Sequence, residues 1–420
     1  MQCSPTIRPA RGTPGGPTPA AATSTAASDK ENLLKPKRKR AAMIVAGSSL
    51  ALLAACSPTD QSSEAIAVSS TDDACEIAAT QTPSGVVQFA VTNNGSQVTE
   101  FYVLGADGLQ IMAEVENIGP GLTRQLVAQL APGSYTLACK PGMVGDGIRS
   151  SFTVIDSGNA AIVDADDAVV IAEATRNYAA YVRDQTDQLL AGTQSFADAY
   201  LAGNDELARQ LYASTRMHWE RIEPVAESFG DLDPILDARE ADLAPGDTWT
   251  GWHRIEKDLW PPASGYTPLT QAQRESVAST MVADTATLRD RAQQLTFTAD
   301  QLGNGAKELL DEVAVGKITG EEEAWSHTDL WDFQANLEGA KVMHAGLRPV
   351  VAKNDPQLAK TLDTEFANVQ GLLDRYRKGD GFVYYTDLTQ EQIRELAAAV
   401  DALGEPLSRL TSVVLVGKSA

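Results

Sequence analysis

The chain has 420 residues, enough for two or three domains with substantial cores. It carries 34 Lys and Arg against 56 Asp and Glu, a formal net charge of −22. Residues 1–56 hold eight of the bases and two of the acids, a net of +6, so the remainder stands at −28. A body of that sign does not bind nucleic acid and is repelled by anionic lipid headgroups, whereas it attracts cations.

Lys35-Pro-Lys-Arg-Lys-Arg40, the apolar run from Ala41 to Ala55 and the small residues before Cys56 have the layout of a secretory signal. The run is too short for a comfortable membrane span. Leu53-Ala-Ala-Cys56 resembles the lipobox of bacterial lipoproteins, in which the cysteine becomes the lipidated first residue. That resemblance implies export and a lipid anchor on the outer face of the cytoplasmic membrane, or a periplasmic location. The plainer alternative is a signal peptide with an incidental Cys56. Residues 1–56 thus read as a disordered extension and lipoprotein signal peptide, and the polar residues 57–65 as a linker. With Cys56 taken by lipid, Cys75 and Cys139 remain, and export makes a disulfide their default.

Residues 66–156 read as β structure. Val87, Phe89 and Val91 alternate with polar residues until Asn93-Asn-Gly95 breaks the run, and Phe101 and Val103 alternate next. Leu126, Ala128 and Leu130 repeat the pattern up to the turn Ala131-Pro-Gly-Ser134. Tyr135, Leu137 and Cys139 share one face, and Phe152 and Val154 close the series. Short strands at this spacing predict a small sandwich or Greek-key barrel.

From 164 to 416 the texture turns helical. Ile171, Tyr178, Val182 and Leu189 keep a helical period, as do Val277, Met281, Leu288 and Leu295. Leu362, Phe366, Val369, Leu373 and Tyr376 make a third stripe. Ile393, Leu396, Val400, Leu403, Leu407, Leu410 and Val414 make the cleanest one, and Pro406 within it predicts a kink. Long amphipathic stretches with short breaks predict two helical bundles packed together.

Within this region, His253 and Glu256 of Gly251-Trp-His-Arg-Ile-Glu256 are three residues apart and reach one point from a helix. Glu220 and Glu223 make a second such pair, and facing pairs of this kind hold iron or manganese in carboxylate-rich bundles. Trp252, Ile255 and Leu259 place His253 and Glu256 at the edge of a core, where burial is costly unless each group is paired or metal-bound. Glu220 and Glu223 lie beside Tyr212 and Trp219, on a helix whose main apolar face reads as Leu207, Leu211, Ile222 and Val225. The competing reading is a solvated face bridged by Arg216, Arg221, Arg254 and Lys257. His218 falls on that apolar face and His344 on a helix with Leu337, Met343 and Leu347, so both read as structural. Asp329, Asp332 and Glu338 offer a second acidic site, against which stand helix capping and a polar network around His327.

Glu220-Arg-Ile-Glu-Pro-Val-Ala-Glu-Ser-Phe229, Asp233-Pro-Ile-Leu-Asp-Ala-Arg-Glu240, the His253 segment and Ser326-His-Thr-Asp-Leu-Trp-Asp-Phe-Gln-Ala-Asn-Leu-Glu-Gly339 resemble the imelysin-like (peptidase M75) family. Within that family they are most similar to EfeO-type components of bacterial iron uptake. Val98-Thr-Glu-Phe-Tyr-Val-Leu104, Glu116-Asn-Ile-Gly-Pro-Gly-Leu-Thr-Arg124 and Pro132-Gly-Ser-Tyr-Thr-Leu-Ala-Cys-Lys-Pro-Gly-Met143 resemble the cupredoxin-like domain that precedes it in such proteins. The resemblance implies a small all-β cupredoxin-like sandwich followed by an all-α double helical bundle. It implies a metal site on Glu220, Glu223, Asp237, His253 and Glu256, with Asp237 resting on the resemblance alone. Four carboxylates and an imidazole suit iron, ferrous or ferric, and leave zinc, manganese and calcium open.

The role implied is non-catalytic: capture of iron outside the cytoplasmic membrane and delivery to a membrane permease of the EfeU type, alongside a Dyp-type haem peroxidase of the EfeB type. Neither His-Glu-x-x-His nor His-x-x-Glu-His occurs, and His-x-x-Glu supplies two ligands with no identified general base. The alternatives are a metal-dependent enzyme, peptidase or ferroxidase-like, and a substrate-binding lipoprotein in which metal is structural. All four His lie at 218 or beyond, so the β domain cannot build a His₂Cys copper site. Cys75 and Cys139 stand between a disulfide and an unusual metal site with Glu100, Glu114, Glu116 or Met143.

Overall fold

The computed structural model describes residues 65–417, apart from 107, 109, 110, 158–162, 244, 245 and 316. The expected signal peptide, Cys56 and the linker up to residue 64 lie outside the described residues. The first part of the chain is β1 (Ile66–Ser70), β2 (Cys75–Ile77), β3 (Gln81–Pro83), β4 (Gly85–Asn93), β5 (Thr99–Leu104), β6 (Ile111–Ile118), β7 (Thr123–Leu130), β8 (Gly133–Cys139) and β9 (Ile148–Ile155). One sheet has the order β2-β1-β4-β7 and the other β3-β9-β8-β5-β6. The alternating residues of β4 fill the space between them, with the Phe89 ring 5.3 Å from Phe101 and 5.9 Å from Phe152. Cys75 and Cys139 form a disulfide with Cα atoms 5.5 Å apart, joining β2 of one sheet to β8 of the other. Neither sulfur is then available as a thiolate ligand.

The helical part comprises α1 (Ala165–Leu201), α2 (Asp205–Glu220), α3 (Leu232–Asp237), α4 (Gly251–Leu259), α5 (Gln271–Ala292), α6 (Ala299–Val315), α7 (Asp329–Asn354), α8 (Pro356–Asp374), α9 (Gln390–Leu407) and α10 (Leu410–Leu415). Helix α1 packs against α2 and α5, while α6, α7, α8 and α9 pack in turn; α7 touches both groups. Their apolar stripes merge into one core. No helix among the described residues is long and apolar enough to cross a membrane.

Three local readings change. The kink expected at Pro406 is a break, with α9 ending at Leu407 and α10 starting at Leu410. Pro406 has no N–H for the carbonyl of Ala402, so the last turn is weakened where the chain must bend. The buried stripe of α2 is Ala208, Tyr212, Arg216 and Trp219, one position on from Leu207, which is 41% exposed. The Tyr212 and Trp219 rings bury far more area than two leucines at the helix margin, and they set the rotation. Finally, α2 ends at Glu220, and Glu223 opens a 3-10 segment that runs to Phe229. Pro224 disfavours helical backbone at the residue before it, so the Glu220–Glu223 pair spans a helix end instead of one continuous face.

Helix α6 joins the two parts. Asp300 Oδ2 accepts from the Gln129 amide at 2.8 Å, and Asn304 Nδ2 donates to the Val127 carbonyl at 2.9 Å. These bonds cover the edge strand β7, whose backbone would otherwise be open to another strand. They also bring β6 alongside the helices, where its Glu114 and Glu116 help to wall an acidic cleft.

Candidate metal centre

Arg216 is the pivot. Its side chain is 0% exposed and forms ion pairs with Asp237 through Nη1 and with Glu220 through Nη2. Glu322 lies 3.3 Å from Nη2, and Glu323 and Asp332 lie 2.6 and 3.9 Å from Nε. Burial opposes the guanidinium's charge, but Asp237, Glu220 and Glu323 outweigh it and hold Arg216 firmly protonated.

His253 enters from α4. Gly251 begins that helix at φ +81°, and a Cβ there would stand 2.1 Å from the Leu236 carbonyl oxygen. Only glycine lets the end of α3 lie against the start of α4, and that approach sets Asp237 beside His253. Gly251→Ala is therefore expected to cost about 2–4 kcal/mol and to misplace the two residues together. Urea unfolding combined with metal titration reads both effects; an alanine variant with wild-type values in each would contradict this account.

The two ring nitrogens of His253 have different surroundings. Nδ1 is 3.0 Å from Glu256 Oε2, and Glu256 Oε1 accepts from the Trp325 and Ser326 amides at 3.0 and 2.7 Å. Nε2 is buried and has no hydrogen-bond partner among the described residues. It faces Asp237 Oδ1 and Glu322 Oε1, each 3.4 Å away. Burial and the Arg216 charge push the imidazole pKa down, yet Asp237, Glu256 and Glu322 carry it well above the ordinary histidine value. Glu322 is held down at about 2, its burial outweighed by Lys317 and His253, and Asp237 is likewise kept ionised, chiefly by Arg216.

Three sets of donor atoms come within 4.8 Å of one another: Asp237, His253 and Glu322; His253, Glu256 and Glu323; and Glu220, Glu223 and Asp237. The second is sealed, with Glu256 on two amides and Glu323 beside Arg216, Ser326 and Tyr212. Burial, then Glu256, pushes the Glu323 pKa well up. The third set already holds a cation, because Lys317 Nζ lies 2.8 Å from Glu220 and 2.6 Å from both oxygens of Glu223. The first set alone combines a nitrogen that makes no hydrogen bond with two ionised carboxylates that line an open cleft. That cleft has a volume of about 250 Å³, and its walls include Asp237, Glu223, Glu322 and Glu312 of the helical part and Glu114 and Glu116 of β6. The donor chemistry fits a hard or borderline cation.

Residues 174–410 match the peptidase M75 family, imelysin, and residues 42–154 match the cupredoxin-like domain. The chain is 38% identical over 310 residues to proteins called iron uptake system component EfeO from Escherichia coli strain K12 and from Shigella flexneri. Those matches span 73% of this chain and 80% of each relative. This chain is an EfeO-type member of the imelysin family.

In this EfeO-type protein all five residues anticipated from sequence, Glu220, Glu223, Asp237, His253 and Glu256, lie in one buried region around Arg216. Glu322, Lys317 and Arg216 are the participants that periodicity did not select. Asp329, Asp332 and Glu338 do not converge. Asp329 accepts from the Glu323 amide at 3.3 Å, Asp332 faces Arg216, and Glu338 pairs with Arg221 at 2.7 Å on another side. Asp332 has both oxygens buried without a hydrogen-bond partner among the described residues, and burial pushes its pKa well up.

His344 and His218 pack as structural residues. His344 stacks on Phe366 with ring centroids 5.3 Å apart. His218 Nδ1 lies 2.8 Å from Gln185 Oε1; burial first, and Arg221 next, lower its pKa to about 4. Below pH 6.5 the unfolded chain takes up a proton that the folded chain refuses, so this residue costs stability as pH falls from 6.5 towards 4. His218→Gln is expected to flatten that decline, shifting the pH 5 melting temperature by about 2–4 °C relative to its value at pH 7.5. Parallel pH-dependent melts of the two proteins check it; identical pH slopes would contradict it.

Proposed function

We propose that this chain is a non-catalytic, extracytoplasmic iron-binding protein that captures iron at Asp237, His253 and Glu322 and delivers it to a membrane permease. The observation that carries this reading is the buried Nε2 of His253, without a hydrogen bond and 3.4 Å from each of two ionised carboxylates on the wall of an open acidic cleft. The relatives' name, iron uptake system component, supports iron as the cargo. Glu256 would orient the ring from its far side, a carboxylate–histidine–metal arrangement that fixes the tautomer. Cys56, lipidated, would tether the protein to the outer face of the membrane, with an EfeU-type permease and an EfeB-type peroxidase as partners.

The absence of turnover is supported by the state of Glu256. A zinc hydrolase needs a free general base beside its metal-bound water, and both Glu256 oxygens are already engaged by His253 and two backbone amides. Titrating the purified protein with Fe²⁺, Fe³⁺, Zn²⁺ and Ca²⁺, with peptide-cleavage and iron-oxidation assays on the same samples, tests the proposal. Preferential iron binding without turnover is the expected outcome. Sustained oxidation or cleavage would make it an enzyme, and tight calcium or zinc binding with indifference to iron would make the metal structural.

A further inference from the structure

Lys317 begins the short turn Lys317–Thr319 after α6 and is 0% exposed. A buried ammonium is costly unless its charge and its donors are all met. Here they are met by Glu220 at 2.8 Å and both oxygens of Glu223 at 2.6 Å. Asn336 Nδ2 braces the same two carboxylates, at 3.0 Å from Glu220 and 2.7 Å from Glu223. Together with Asp237, these carboxylates present oxygens at a spacing that suits a metal ion. The position is filled by a cation the chain supplies itself.

We propose that Lys317 is a tethered counter-cation that withholds Glu220 and Glu223 from iron, limits the centre to one metal ion and weakens its grip. The inference rests on the reading of Asp237, His253 and Glu322 as the ligands. Its physical basis is simple. Asp237 belongs both to the set around His253 and to the set that Lys317 occupies, so the two cation positions are neighbours. At about 5 Å and an effective dielectric of about 20, a fixed unit charge lowers the affinity for a divalent ion by several orders of magnitude; water in the open cleft screens this, and about tenfold is the least effect expected. For a protein that must give up its cargo, such a charge favours release. It also keeps the carboxylates compensated when no metal is bound, so the empty centre stays folded.

The test compares wild type, Lys317→Gln and Lys317→Arg, using Fe²⁺ under argon and Zn²⁺ as an air-stable probe. Glutamine retains a donor for the carboxylates and removes the charge. It is expected to bind the metal at least tenfold more tightly and to release it to a chelator correspondingly more slowly, while arginine stays within about threefold of wild type. A second bound equivalent in Lys317→Gln would support the proposal further. Unchanged or weaker binding by folded Lys317→Gln would overturn it. If that variant does not fold, Glu223→Gln decides: a loss of less than about thirtyfold agrees with a carboxylate already occupied, and a larger loss marks a direct ligand and overturns the proposal. His253→Ala runs in parallel. If it binds iron as wild type does, the reading of the centre fails; if it loses iron while Lys317→Gln gains nothing, only the role of Lys317 fails.

Discussion

His253→Ala is expected to weaken iron binding at least about a hundredfold while the helical core remains folded. The imidazole contributes the only nitrogen donor of the Asp237, His253 and Glu322 set, and no neighbouring side chain can replace Nε2. Glu256→Gln acts through the ring's other nitrogen and should cost about 10–100-fold, the usual effect of a partner that orients a metal-bound histidine. The same geometry gives a pH dependence whose sign is fixed. In the metal-free protein the imidazole pKa lies well above its ordinary value, held there by three carboxylates despite burial and Arg216. Iron needs the neutral ring, so binding expels a proton, and affinity should rise by about tenfold per pH unit through the neutral range. Isothermal titration at several pH values and in buffers of different ionisation enthalpy reads the proton directly. Binding independent of pH, or unaffected by His253→Ala, would place the metal elsewhere.

Arg216→Met is the variant expected to damage the fold most. The guanidinium is the shared counter-charge of Asp237, Glu220, Glu322, Glu323 and Asp332, all within 4 Å of it. Methionine fills much of the volume and supplies none of the charge, leaving buried carboxylates uncompensated. Removing one member of a buried ionic set costs about 3–5 kcal/mol, a large fraction of the roughly 5–15 kcal/mol that keeps a domain folded. The variant is expected to melt well below wild type without metal and to recover part of the loss when Zn²⁺ is added, since a bound cation restores some missing charge. Melts with and without metal test both statements. A metal-free Arg216→Met within about 1 kcal/mol of wild type would contradict the pivotal role given to this residue.

Much of this arrangement could be read from the residues, and what escaped did so for physical reasons. Strand β4 announces itself because one face is buried and the other is only half-covered; Val87, Phe89 and Val91 show that directly. Strand β6 is silent because Ala113, Glu114 and Val115 are buried in succession, one face in the sandwich and the other against the helices. His253 and Glu256 stood out by spacing on an amphipathic helix, whereas Glu322 and Lys317 lie between helices, where no period marks an inward direction. Three successive glutamates, Glu321, Glu322 and Glu323, offer no apolar neighbour to mark burial, yet Glu323 is 0% exposed and Glu322 4%. Arg216 carried a usable signal: it stands four residues after Tyr212 and three before Trp219, within a stripe of buried rings. A charged residue at such a position is a candidate for a buried ionic network, and here it organises one.

The binding expectations all require iron between Asp237, His253 and Glu322. The most direct measurement is an anomalous difference map from crystals of the iron-loaded protein, collected on both sides of the iron absorption edge. One strong peak is expected, bonded to His253 Nε2 and flanked by Asp237 and Glu322, with Lys317 still paired to Glu220 and Glu223. A peak centred on Glu220 and Glu223 with Lys317 turned away, or a peak in the β sandwich with His253 bare, would contradict it.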